Sequence, residues 1–528
     1  MAEDRKVVHR VSMADTSEGQ RLALLTLQGL ANRDAPRLYL TSGGASEHWL
    51  DWYAYYGYEA EALSFDQAVE RFGALASGTV VYDPALRDTI AVAISLASAR
   101  DAVVVSPDLA AHLPLKVTED LRGRWSSRLE AHRWARANLL PHCAKSALGS
   151  IQVGDAEDRF GSWMTDLLVA RRGFAHSLSV NPFADPAEAA LCEEIMAQAE
   201  PLALALGWHS PRDIEATYVD ACSRHGLVQI CSSGGPNMSF HQHIKSRGLL
   251  RQDHADPAQV KLRDLVYITF SQTDGDALHS MTNLQQRQWA GALRGSLPLA
   301  WWIAPRLAYD LGPALLEYYY STRTARDYFV AGPSGAGYNY PSVQKDLDAF
   351  LACTRRLMEL TDTRTIWNIN RVVKWVAPDQ VQHLTAAGEV ALPLRDGGPV
   401  EAIKNEYGAD WLDDGVAEKY VEAIPEAFGF FQGFETVRGE EDRIIHTKPY
   451  VPTQVMVDDP GQGERDIEAF LQGRPRPAFV SCTVNMCGPM NQRMFEKMLL
   501  LARRLELKGY RTVKPDEFLI ARAKAAAR

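Results

Sequence analysis

Residues 265–276 read Leu265-Val266-Tyr267-Ile268-Thr269-Phe270-Ser271-Gln272-Thr273-Asp274-Gly275-Asp276. An apolar, β-branched run gives way to a polar turn broken by glycine, the pattern of a strand whose C-terminal end opens into a loop. The pattern recurs downstream. Strand candidates follow at 299–303, 328–331, 365–368, 400–403, 427–431 and 478–483, with weaker ones at 390–394 and 443–447. Helical stripes separate them at 284–293, 314–322, 343–360, 411–423, 465–471 and 492–507. Seven or eight strand–helix repeats over about 270 residues match the size of a closed (β/α)8 barrel, with a doubly wound sheet as the rival.

Upstream, short apolar strands at 37–41, 79–82 and 102–105 alternate with amphipathic helices, which predicts a wound α/β domain over 1–111. Residues 112–258 read as a second α/β domain or an elaboration of the first, and the barrel occupies 259–528. The polar tract 251–257 is the expected linker. At 528 residues the chain exceeds what one core supports.

A net charge of −10 with scattered basic residues argues against a nucleic-acid partner. No apolar run is long enough for a membrane span, and the N-terminus lacks the apolar stretch of a secretion signal. Seven cysteines without dense spacing fit reduced thiols and a cytoplasmic setting. Oligomeric state is not encoded in any of these features.

Barrels place chemistry in the loops after their strands. Asp274 and Asp276 stand there, spaced i, i+2. In extended chain their Cα atoms lie roughly 6–7 Å apart on one side. Mutual repulsion would raise one pKa and suit acid/base work, and an Asp-Gly turn with both carboxylates capping backbone is the equal alternative. Glu401, near the fifth strand, is a candidate second carboxylate; Glu317, on a helix, reads as surface. Arg306 after the second strand, Asn368 and Asn370 after the fourth, and Asn485 after the last supply groups suited to sugar hydroxyls. The third strand leads into 331–342, where three glycines, Gly332, Gly335 and Gly337, flank Ser334 and precede the paired tyrosines Tyr338 and Tyr340. These either stack on sugar faces or pack as lids on the core. His241 and His243 read as two imidazoles on one face of a strand, and with His279 and the aspartates they raise the option of a divalent metal. No close-spaced ligand motif accompanies them, so the expectation is no cofactor. No G-x-S-x-G elbow occurs, which argues against a serine hydrolase.

Gly335-Ala336-Gly337-Tyr338-Asn339-Tyr340-Pro341 spells in full the signature of the GxGYxYP family, which carries a glycoside hydrolase label. Thr273-Asp274-Gly275-Asp276 resembles that family's S/T-D-G-D-N segment, with Ala277 in place of the asparagine. Residues 27–33, 36–40 and 237–241 resemble its N-terminal region. The resemblance implies α/β N-terminal domains followed by a barrel-like domain related in shape to polysaccharide deacetylases. It also implies a carbohydrate substrate for a bacterial protein whose relatives often look exported. Three readings stay open: a glycosidase using paired carboxylates, a metal-dependent carbohydrate deacetylase or hydrolase, and a carbohydrate-binding protein without catalysis.

Overall fold

The computed structural model describes residues 5–153, 164–182, 185–209, 213, 215–231, 237–273, 278, 280–371, 373–375, 390–392, 401–403, 412–433, 442–485 and 493–528. Its contacts divide the chain into two units. One comprises 1–246, 310–315 and 373–403, the other 247–309, 316–372 and 404–528.

The first unit opens with strand β1 (Lys6–Ser12), followed by a helix at Glu18–Ala31. Ser17 and Gln20 form a reciprocal capping box there, satisfying donors the first helical turn leaves open. Strands β2 (Leu38–Thr41) and β3 (Tyr58–Leu63) pair in parallel on either side of β1. The arrangement repeats. Strand β4 (Gly78–Val81) lies between β5 (Ala102–Val105) and β6 (Val117–Asp120), again in parallel. Strand β7 (Ala147–Ser150) then lies between β8 (Phe174–His176) and β9 (Leu204–Gly207), with β10 (Val228–Cys231) added outside β9. Strands β2, β4, β5, β7 and β9 are short and buried on both faces, which accounts for their near-continuous apolar runs, whereas β3 and β6 are largely exposed.

The second unit is built on a ten-stranded sheet. Its parallel strands are β11 (Val266–Thr273), β12 (Leu299–Ile303), β13 (Asp327–Ala331) and β14 (Thr365–Asn368). The strands β15 (Val373–Trp375), β16 (Val390–Leu392) and β17 (Glu401–Ile403) do not join it. They form an antiparallel sheet of their own, within the first unit. The repeats expected at 390–394 and 400–403 are therefore not barrel strands: their apolar composition is right, but pairing is not a local property. The large sheet resumes with β18 (Gly429–Gln432), which pairs with β14. Strand β19 (Arg443–Ile445) turns back antiparallel against β20 (Lys448–Pro452). After β21 (Val455–Val457) comes β22 (Ala478–Asn485), which returns beside β11, and the short β23 (Arg511–Thr512) also pairs with β11.

Strand β20 pairs with β18, and β21, three residues on, pairs with β22. Between them the Thr453 amide donates to the Gln432 carbonyl and the Gln454 amide to the Ser481 carbonyl. One stretch, 448–457, thus touches both ends of the run β18-β14-β13-β12-β11-β22.

Two further expectations change. Residues 251–257 are no free linker. Buried Gln252 bonds through its side chain to both the amide and the carbonyl of Phe329, and the Ala255 amide donates to Asp516. His241 ends a short helix, Met238–His241, with Gln242 as its C-cap, so His241 and His243 do not share a strand face. Left-handed Asn237 turns the chain into that helix (φ 65°), a step that apolar alternation does not reveal.

Candidate functional site

Strands β11, β12, β13, β14, β18, β20, β21 and β22 pair in parallel, so their C-terminal ends share one rim. Thr273 and Asn485 are the last register pair between β11 and β22. Asp274 and Asp276 follow Thr273 immediately, and both lie outside the described residues, as does His279. Of Asn485 only the strand position is described.

Below the rim the sheet carries an aromatic layer. Trp367 stacks on Phe431 with ring centres 4.5 Å apart and planes 13° from parallel, and Trp302 approaches Trp367 to 5.2 Å. Each indole has a fixed partner: Trp302 Nε1 donates to Ser271 Oγ (2.9 Å) and Trp367 Nε1 to the Gly433 carbonyl (2.7 Å). Trp301 points the other way and donates to Asp327 Oδ1. All three indoles are buried. Trp301 and Trp302 are therefore core residues, with strand alternation dividing them between faces.

The signature segment after β13 is a closed knot. Ser334 has a left-handed backbone (φ 58°), and the carbonyls of Asn339 and Ile369, each 2.9 Å from its Oγ, share its single hydroxyl proton. The Ser334 amide donates to the Trp367 carbonyl, and its own carbonyl accepts from the Tyr420 hydroxyl at 2.9 Å. Burial pushes the Tyr420 phenol well above its usual pKa, so it remains a donor. Gly335, at φ +109°, passes so close to Thr354 that an added Cβ would lie 2.3 Å from its methyl group. Asn370 Oδ1 accepts from the Ser342 amide, and Ser342 Oγ donates to Asp413 Oδ2. Tyr338 and Tyr340 meet edge to face at 5.9 Å. Tyr340 is wholly buried and Tyr338 is 3% exposed, so neither presents a ring face for stacking in this conformation.

Asn368 is also fully buried, and both polar atoms of its amide lack a partner among the described residues. Alternation puts it on the face opposite Trp367, in register with Gln432. Arg306 extends toward the helix Leu347–Thr361, with one guanidinium nitrogen 3.9 Å from Cys353 Sγ. Glu401 opens β17 in the antiparallel sheet, and so does not stand at the end of a strand of the large sheet. Glu317 is a buried structural acceptor for the amides of Arg247 and Gly248. His241 Nδ1 meets the Tyr53 hydroxyl at 2.5 Å and His243 Nε2 the Asn32 carbonyl at 2.6 Å. Among the described residues no three His, Cys, Asp or Glu side chains are grouped to hold a metal.

Sequence reasoning missed Thr354, Asp413, Tyr420 and the 453–454 seam, all of which act at long range. Only the seam left a local trace, a polar pair between two apolar runs.

Family models match along the chain in order: the first, second and third GxGYxYP N-terminal domains at 7–74, 76–143 and 150–243, and the "GxGYxYP putative glycoside hydrolase C-terminal domain" at 264–522. The chain belongs to the GxGYxYP family. It is similar in fold to the crystal structure of a putative hydrolase from Bacteroides thetaiotaomicron VPI-5482, with a TM-score of 0.76 at 21% identity over 98% of this chain and 95% of that one. Against curated proteins there is no significant match. No described helix is long and apolar enough to cross a membrane.

Proposed function

We propose that this GxGYxYP protein hydrolyses a glycosidic bond at the C-terminal rim of its large sheet, and that the sheet is a distorted barrel closed through residues 448–457. Asp274 and Asp276 serve as general acid and base, or one of them acts with a carboxylate still to be assigned. The separation of the working pair sets inversion or retention. The observation that carries this reading is the register of β11. The strand that delivers both aspartates ends beside Asn485, at the same rim where the signature knot begins. Family membership supports a sugar as substrate.

Within this reading the roles of the candidates separate. Asn485, at the C-terminal end of β22, is the candidate partner for a sugar hydroxyl. Ser334, Tyr338, Tyr340 and Asn370 are positioning residues, because their polar groups or rings are engaged in the knot. Asn368 and Arg306 stand behind the aromatic layer or against a helix and shape the wall. Glu401 is left out of the pair, since its strand belongs to the other unit.

The test is hydrolysis of a panel of aryl glycosides and oligosaccharides by wild type, Asp274→Asn and Asp276→Asn. General acid/base loss predicts a fall of about 10²–10⁴-fold in at least one variant, with an unchanged unfolding midpoint. Full activity in both variants would remove them from the chemistry. Abolition of wild-type activity by a chelator would transfer the site to metal-dependent hydrolysis, and binding without product in every variant would leave a lectin-like protein.

A further inference from the structure

The second unit contains a cavity of about 390 Å³ at the N-terminal end of β22, opposite the rim that carries the signature knot. Its charge runs against the rest of the molecule. Among the described residues Arg474, Arg476, Arg522 and Arg528 line it with one acidic side chain, Asp442, in a chain whose net charge is −10. Both Asp442 oxygens are engaged: Arg522 Nε donates to Oδ2 at 2.6 Å and Gln454 Nε2 to Oδ1 at 2.8 Å. On the helix leading to the cavity, Glu464 and Glu468 bind Lys508 at 2.9 and 3.1 Å. Asp442 is thus paired with Arg522, and the lining sets four guanidinium groups against this one acidic side chain.

Three of the guanidinium groups also lie near aromatic rings, and Arg474 Nε donates to the Phe470 carbonyl at 2.9 Å. Arg474 lies 4.1 Å from the centre of Phe470, Arg522 lies 5.8 Å from Phe479 and Arg476 lies 5.9 Å from Tyr510. Such contacts limit rotation of planar groups whose donors match carboxylate and phosphate oxygens in pairs. Phe470, Phe479 and the prolines at 475 and 477 supply apolar wall between the arginines. Basic fork donors over an apolar wall select a small molecule with a charged head and an uncharged body.

We propose that this cavity is a binding site for a small organic anion, recognised through a carboxylate or phosphate group by Arg474, Arg476 and Arg522. The site is separate from the glycosidase chemistry proposed above. Arg474 and Arg476 come from the exposed turn after the helix Pro460–Leu471, so they can be replaced without emptying the core.

The experiment is calorimetric titration of the full chain at low ionic strength with inorganic phosphate, glucose 6-phosphate, glucuronate and glucose. At least one of the three anions is expected to bind with a dissociation constant below 1 mM on the order-of-magnitude affinity scale, and glucose is expected not to bind. Arg474→Ala/Arg476→Ala should weaken that binding at least about tenfold, as should raising salt through the screening range. Phosphate and glucose 6-phosphate binding without glucuronate identifies a phosphate head, and the reverse identifies a carboxylate. The proposal is overturned if none of the three anions binds with a dissociation constant below about 1 mM. It is equally overturned if the double variant, with an unfolding midpoint like wild type, binds as tightly.

Discussion

Gly335 shows how much of the signature is backbone geometry. An alanine there meets two penalties: a left-handed backbone, and a methyl group driven into Thr354, whose Oγ1 also accepts from the Ala336 amide. Gly335→Ala is expected to cost about 2–4 kcal/mol in urea unfolding. Thr354→Ser removes the nearer obstruction, the methyl, and leaves the hydroxyl oxygen 2.7 Å from the added Cβ. The pair Gly335→Ala/Thr354→Ser should therefore recover part of the loss, and strict additivity would refute the contact as the cause. His176 gives the residue scale a pH dependence. Burial holds its pKa down at about 3 from 6.5, with nearby His132 adding to the effect. Below about pH 6.5 the unfolded chain takes up a proton here that the fold refuses. Stability is thus complete above that pH and falls as pH drops toward about 3, by at most about 1.4 kcal/mol per pH unit for this group. His176→Gln should flatten the pH dependence of the urea midpoint between pH 6.5 and 5, and parallel curves for variant and wild type would contradict it. The sequence offers the glycine and the tyrosines of the signature openly. It does not offer Thr354, Asp413 or Tyr420, because nothing local announces which distant side chain fills a turn.

At the level of elements, composition located strands well where a short apolar run was buried on both faces. Residues 102–105, 299–303 and 365–368 are strands to the residue. It failed where the answer depended on the partner. Residues 401–403 are a strand, but one that pairs with 373–375 and 390–392. The segment 251–257 failed for the opposite reason: its polarity suggested solvent, yet the polarity of Gln252 is spent on backbone. Its Oε1 accepts from the Phe329 amide at 2.8 Å, and its Nε2 donates to the carbonyls of Phe329 and Asp362. Gln252 thereby completes hydrogen bonds on β13 as an added strand would. Gln252→Ala should cost about 2–4 kcal/mol, since it strands buried backbone groups without water to replace the amide. Gln252→Glu should do no better, because it restores the acceptor and places a carboxylate against two carbonyls. Either variant within about 0.5 kcal/mol of wild type would return the segment to the status of a linker.

Across the whole chain two ways of building with parallel strands appear. In the first unit three sheets share one plan, with the first strand central and the next two on either side. Crossovers to one side and then to the other generate this order each time. The repetition is topological and leaves no repeated motif in the sequence. In the second unit the strands run on in one direction instead, and 448–457 meets both ends of the run. If that stretch is the seam of a closed barrel, it bears load on both sides. Gln454 is its centre: its amide donates to the Ser481 carbonyl, and its Oε1 accepts from the Ser481 amide at 2.6 Å. Gln454→Ala should then lower stability by about 2–3 kcal/mol through the orphaned buried amide. It should also speed hydrogen exchange at amides on both flanks, in β18 and in β22, because opening one seam releases two neighbours. An open sheet predicts otherwise: 455–457 would be an ordinary edge beside β22, and β18 would keep its protection. Exchange measured residue by residue in the variant separates the two architectures, since only closure couples strands that are remote in an open sheet.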